Sequence, residues 1–204
     1  MPRKSEGRTP SRGYSDRKVE TTDTRDTFLI ICGGEQTEVN YFKRFRVSTT
    51  VKKIQVEGFG YNPSKLVQEA KEFKAQGDYD QVWCVFDRDD FPKQDFNNAI
   101  ASAEIAGFKV AYSNEAFELW YVLHFEFLNT GIPRKDYISK LDFLLKKKYE
   151  KNSDTIYEEI ENLQPTAIRN AKTLLKQYNP SNPESDNPST TVHLLVEALN
   201  KFIR

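Results

Sequence analysis

The chain has few of the residues that disulfide and soft-metal chemistry require: its 204 residues include two cysteines and two histidines. Cys32 and Cys84 each sit inside an apolar run, FLIIC and VWCVF, with no second ligand nearby. Free buried thiols are therefore expected, rather than a disulfide or a Cys/His metal centre. No apolar stretch approaches the roughly 20 residues that a membrane span needs. A G-x-x-x-x-G-K-[ST] loop is absent too, which argues against nucleotide binding in the Walker manner. Net charge is zero, with 30 Lys+Arg against 30 Asp+Glu; bulk electrostatics cannot coat a nucleic acid, although a local site stays open. The opening segment MPRKSEGRTPSRGYSDRK is charged and lacks the apolar stretch of a secretory leader, so a cytoplasmic protein is expected.

What is present suits a soluble domain. A hydrophobic fraction of 38% with 13% aromatics supplies a core, and 29% charged residues supply wetted helix faces. The length fits one domain with a helical appendage. Charge is uneven, however. Arg3, Lys4, Arg8, Arg12, Arg17 and Lys18 stand against Glu6 and Asp16 among Pro, Gly and Ser. Residues 1–26 are expected to form a disordered basic arm, either touching phosphates or a partner, or serving as a solubilising tail.

Order is expected from Thr27. FLIIC reads as a strand buried on both faces, bounded by Gly33 and Gly34. EQTEVNYFKRFR reads as a helix, KIQVEGFG as a second strand, and NPSKLVQEAKEFKAQ as a helix opened by Asn62-Pro63. QVWCVFDRDD is the clearest strand and runs straight into acids. DFNNAIASAEIAGF is a helix closed by Gly107, FKVAYSN a fourth strand, and EAFELWYVLHFEFL a strongly apolar helix. Fourfold alternation with long connections predicts right-handed crossovers and an α/β, mainly parallel sheet of about four strands flanked by helices. From Pro133 the pattern is helical throughout. The chain divides accordingly into an α/β domain over 27–130 and a C-terminal helical extension over 131–204. NPSNPESDNPS, residues 179–189, reads as an exposed linker whose end caps the last helix.

In an open parallel sheet, ligands gather at the carboxyl ends of the strands. Two strands deliver unusual residues there. The first ends in Gly33-Gly34-Glu35-Gln36-Thr37-Glu38, and the third in Asp87-Arg88-Asp89-Asp90. Alternation turns Asp87 and Asp89 the same way, close enough to share a hard cation, and carboxylate oxygens suit Mg²⁺ or Mn²⁺. The plain alternative is capping or turn formation. Gly33, Gly34 and Arg88 are candidate phosphate contacts at the helix start, against a simple strand-to-helix turn. Glu118 follows the fourth strand and is a candidate third carboxylate for the metal, or a helix-start acid favoured by the macrodipole, as is Glu115. Trp120 reads as core; His124 and His193 read as buried structural histidines. Lys146, Lys147 and Lys148, with Arg169, Lys172 and Lys176, line a groove along a phosphate backbone or a solvated helix face.

LIICGGEQTEVNYFKRF, YDQVWCVFDRDDFP, VAYSNEAFELWYVLHF and NPSTTVHLLVEAL together resemble the RloB family over residues 27–200. The resemblance implies a Toprim-like fold, related to the catalytic domains of topoisomerases, primases and overcoming-lysogenization-defect nucleases. RloB genes lie beside restriction loci and often near an AAA-type ATPase, RloA. The implied role is phage defence or abortive infection by Mg²⁺- or Mn²⁺-dependent cleavage of DNA or RNA, with tRNA suggested by analogy to related effectors. Nucleic acid and a RloA-like ATPase are the implied partners; no membrane is involved, and homo-oligomerisation stays open. Toprim proteins usually end the first strand in Glu-Gly, the Glu serving as acid/base or metal ligand. That pair aligns with Gly33-Gly34 here, so the acid/base falls to Glu35 or Glu38, with Asp87 as the remaining catalytic carboxylate. The metal set implied is Asp87, Asp89, Asp90 and Glu118. The competing expectation is an inactive Toprim-like module that binds an ATPase or nucleic acid. A small-molecule phosphotransferase or phosphatase on the same edge is a third.

Overall fold

The computed structural model describes residues 26–45, 53–88 and 92–202. The arm read over 1–26 lies outside these residues except for Asp26, as do Asp89 and Asp90. Four strands form one sheet: β1 (Thr27–Cys32), β2 (Lys53–Gly58), β3 (Gln81–Asp87) and β4 (Lys109–Ser113). Their order is β2-β1-β3-β4, and every pairing is parallel. Helices α1 (Thr37–Lys43), α2 (Pro63–Gln76) and α3 (Lys93–Ile105) make the crossovers, and α4 (Glu118–Phe125) follows β4. The architecture is the α/β one expected from the alternation and agrees with a Toprim-like fold.

Continuous apolar runs became the central strands because both sheet faces are covered. All six residues of β1 are buried. Its period of two sends Phe28, Ile30 and Cys32 to one face and Leu29 and Ile31 to the other. On the second face lie Leu66, Val67 and Ala70 of α2 with Phe96, Ala99 and Ala103 of α3. Cys32 and Cys84 belong to opposite faces, both as free thiols. Burial pushes both thiols up, Cys84 to about 12, so neither is a nucleophile near neutrality.

The first face is covered by α1, α4 and the C-terminal helices. These are α5 (Arg134–Leu145), α6 (Ile156–Ile160) with a 3₁₀ turn over Glu161–Leu163, α7 (Gln164–Leu175) and α8 (Val192–Asn200). One apolar cluster runs from Phe28 and Trp83 through Trp120 and Tyr121 to Leu141, Ala171 and Leu195. Helix α4 is apolar nearly all round because it lies inside this layer, with Glu118 through His124 buried. Helix α6 was not anticipated.

The Pro/Asn/Ser segment departs from the exposed linker expected. Asp186, Ser189 and Thr190 are buried. Asp186 accepts from Ser181 Oγ and the Asn182 N–H, both at 2.8 Å. Thr190 forms an antiparallel bridge with Ser113, and the Thr191 N–H donates to Tyr112 O at 2.9 Å. The segment thereby covers the outer edge of β4, whose backbone groups would otherwise lack partners. Thr191, at the cap position of α8, makes no side-chain cap bond, while Thr190 Oγ1 accepts from the Val192 N–H at 3.2 Å.

Candidate active site

The two central strands set the site. Cys32 pairs with Val85 in the register of β1 and β3, so the residues that follow each strand emerge side by side. The Gly33 N–H donates to Val85 O at 2.7 Å, extending the pairing beyond β1. The chain then turns at Gly34 into α1, and the Glu38 side chain folds back toward the turn, where Oε1 accepts from the Gly34 N–H at 3.3 Å. A Cβ at Gly34 would overlap the Glu38 carboxylate; glycine here is what admits that carboxylate to the sheet edge.

Three acids from three elements meet at one cavity. Glu38 of α1, Asp87 at the end of β3 and Glu118 at the start of α4 all line a space of about 460 Å³. Glu38 and Glu118 are 5% and 3% exposed. Tyr149 OH donates to Glu118 Oε1 at 3.4 Å, and Lys151 Nζ stands 3.7 Å from the same oxygen. Asp87 Oδ2 lies 3.7 Å from an Arg134 guanidinium nitrogen, while buried Oδ1 has no hydrogen-bond partner among the described residues.

The charges oppose one another. Burial first, then the negative charges of Glu38 and Glu118, raise Asp87 well above the ordinary carboxylate range; Arg134 pulls it back in part. Burial also raises Glu38, followed in size by the lowering effect of a backbone hydrogen bond and the raising effect of Glu118. Such a cluster stores protons or takes a cation.

The donors are hard oxygens, which fit Mg²⁺ or Mn²⁺ and not a soft metal. Among the described residues no three His, Cys, Asp or Glu side chains form a ready-made ion cage. Magnesium does not require one, because it keeps several waters and takes one or two carboxylates. The buried, unpartnered Asp87 Oδ1 is one such hard oxygen donor at the cavity.

The remaining sequence candidates are distributed as follows. Glu35 is exposed and lies over Gly60 at the rim. Arg88 turns toward the outer strand, pairing with Glu115 at 3.0 Å, while its N–H donates to Ser113 O at 2.9 Å. Glu115 holds a left-handed φ of 72° in the turn before α4. Lys146, Lys147, Lys148, Arg169 and Lys172 do not line the cavity. Lys147 pairs with Glu159 and Lys172 with Glu197, both at 2.6 Å. His124 is structural: Nδ1 contacts Trp120 O at 2.8 Å, and burial lowers its pKa to about 4.

Sequence reasoning passed over Arg134, Tyr149 and Lys151. One signal pointed to the first: Arg134 and Lys135 open α5, where the macrodipole disfavours cations. Nothing in the local pattern marks Lys151.

The model of the RloB-like protein family matches residues 28–199. No curated protein and no solved structure matches the chain.

Proposed function

The chain belongs to the RloB-like family, and from that premise we propose that it is a metal-dependent nuclease of the Toprim type, cleaving nucleic-acid phosphodiesters. The observation that carries this reading is the meeting of Glu38, Asp87 and Glu118 at one cavity on the carboxyl edge of a parallel sheet. Asp87 and Glu118 would hold Mg²⁺ or Mn²⁺, which would neutralise charge developing at phosphorus. Glu38 is the acid/base in this scheme. Burial raises its pKa above the usual carboxylate value, the direction that a general acid needs. Glu35 lacks that burial. The proposal extends to a role in antiphage defence in the cytoplasm, on DNA or an RNA such as tRNA, as the effector of a RloA-like AAA-type ATPase.

A second reading has its own support. Gly33 stands where a Toprim glutamate is expected, and no complete ion cage exists among the described residues; an inactive module that binds the ATPase or nucleic acid would look alike.

Incubation of the purified chain with Mn²⁺ and plasmid, single-stranded DNA or total tRNA tests both. Under the first reading the chain cleaves one of them, and Asp87→Ala and Glu38→Gln each lower the rate by about 10²- to 10⁴-fold. Gly33→Glu adds nothing, because a Cβ there comes within 3.3 Å of Phe86 Cβ and Glu38 already fills the role. Silence from the parent chain, relieved by Gly33→Glu, would establish the second reading and sink the first.

A further inference from the structure

We propose that Tyr61 is a base-stacking platform at the rim of this cavity, and that the site takes a strand with an unpaired nucleotide beside the phosphodiester. The inference rests on the nuclease reading and names the class of substrate for it. Tyr61 lines the same cavity as Glu38, Asp87 and Glu118. Yet its half-buried ring belongs to neither apolar cluster of the molecule, so core packing does not account for an aromatic residue here.

The backbone fixes where the ring stands. The parallel register pairs Gly58 with Cys32, and the Phe59 N–H donates to Cys32 O at 3.3 Å. The chain after β2 therefore leaves the sheet at the edge that carries the acids. A Cβ at Gly58 would overlap Gly34 O and the Val39 side chain; its absence lets this loop sit against the turn before α1. Gly60 then bends the chain with a left-handed φ of 63°, and Asn62 caps α2 directly afterwards. The ring itself is supported by another. Phe59 stacks on Tyr61 with centroids 5.3 Å and planes 18° apart, and meets Phe73 of α2 edge-on at 5.6 Å. Phe59 and Phe73 both pack on the second apolar cluster, which ties the platform to the body of the domain.

What the ring holds in this structure points to what it can take. Lys65 Nζ lies 3.5 Å from its centroid. Lys65 is exposed, and its ammonium makes no ion pair among the described residues. An exposed cation on a ring is a weaker contact than a nucleobase stacked on the same ring, so a base displaces it. The space of about 460 Å³ is of a size that takes a small ligand. One nucleotide can thus place its phosphate at the acids and its base on Tyr61. In a duplex each base is already stacked on its neighbours, so the platform serves only a base that is free of them, as in a single strand or an RNA loop. Stacking also suits a chain whose net charge is zero, since it adds affinity without bulk positive charge.

The test uses the full chain and fluorescein-labelled strands of about eight nucleotides, followed by anisotropy in Ca²⁺ to hold off cleavage. Oligothymidine and oligouridine are each compared with an abasic strand of the same backbone and with a duplex. The parent binds base-bearing strands about 5- to 150-fold more tightly than abasic ones, the worth of one base stack. Tyr61→Ala and Tyr61→Leu remove that preference and leave abasic-strand and duplex binding unchanged, whereas Tyr61→Phe retains it. The preference in either sugar series supports the proposal, and the larger one identifies the strand as DNA or RNA. Equal binding of base-bearing and abasic strands by the parent would overturn it. So would parallel loss of both in Tyr61→Leu, which keeps the apolar bulk. Cleavage in Mn²⁺ is scored separately. A Tyr61-dependent preference without Asp87-dependent cleavage would overturn the nuclease reading and leave the stacking site on a binding module; Asp87-dependent cleavage without the preference would overturn the platform alone.

Discussion

Gly34 shows how one missing side chain makes room for another at the sheet edge. The Glu38 carboxylate occupies the space that a Cβ at residue 34 would take, and it receives the Gly34 N–H. Gly34→Ala is expected to leave the sheet intact, since the residue has no left-handed φ, but to push the carboxylate out of the cavity. Cleavage should fall by about the same 10²- to 10⁴-fold as for Glu38→Gln, with an unchanged circular dichroism spectrum. A Gly34→Ala protein as active as its parent would remove Glu38 from the chemistry. At this scale Asp87 was legible from sequence, because an acid ending an apolar strand must emerge at the carboxyl edge. The burial of Glu38 rather than Glu35 in the cavity was not, for it turns on a fold-back of the side chain that spacing does not encode. Arg134 and Lys151 were hidden for a different reason: their nearness to the acids exists only once the C-terminal helices pack.

Element boundaries followed local chemistry where that chemistry is self-contained. Asn62 precedes Pro63 and caps α2, its Oδ1 accepting from the Lys65 N–H at 2.8 Å. Asn62→Ala should cost about 1 kcal/mol, the usual worth of such a cap, read as a lowered urea midpoint with an unchanged slope. A shift within error would mean that tertiary packing alone fixes the start of α2. The short α6 escaped because five residues are too few to display a helical period, and it is held by burial of Ile156, Tyr157 and Ile160. The segment before α8 misled in the opposite sense. Its composition is that of an exposed loop, but the open edge of β4 requires backbone partners, and Thr190 and Thr191 supply them.

Across the whole molecule, buried acids and buried histidines pull stability in opposite directions with pH. Asp87 and Glu38 bind protons more tightly in the folded than in the unfolded chain. Without a divalent cation, their contribution therefore weakens as pH rises and strengthens as pH falls through their raised range. His124, lowered from 6.5 to about 4, does the reverse: its folded form resists protonation, and stability is lost as pH falls across that window. That loss amounts to about 3 kcal/mol when complete. In EDTA, Asp87→Asn should be more stable than the parent near neutrality, with the advantage shrinking on acidification. His124→Gln should lose less stability than the parent between pH 6.5 and 4. Urea midpoints across pH check both; a pH-independent advantage for Asp87→Asn would mean that the carboxyl binds its proton no more tightly in the folded than in the unfolded chain.

Among the described residues no helix is long and apolar enough to cross a membrane, in keeping with the absence of long apolar runs. The sequence by itself determined the four strands, their parallel crossovers and the delivery of acids to one sheet edge, because hydrophobic period and turn residues act within a few positions of each other. Tertiary structure alone decided which acids face one another and which cations answer them. It also turned a loop-like segment into the cover of β4. Those outcomes depend on burial, on the room left by a missing Cβ and on unpaired backbone at a sheet edge, and each of these comes into being only when distant parts of the chain are packed together.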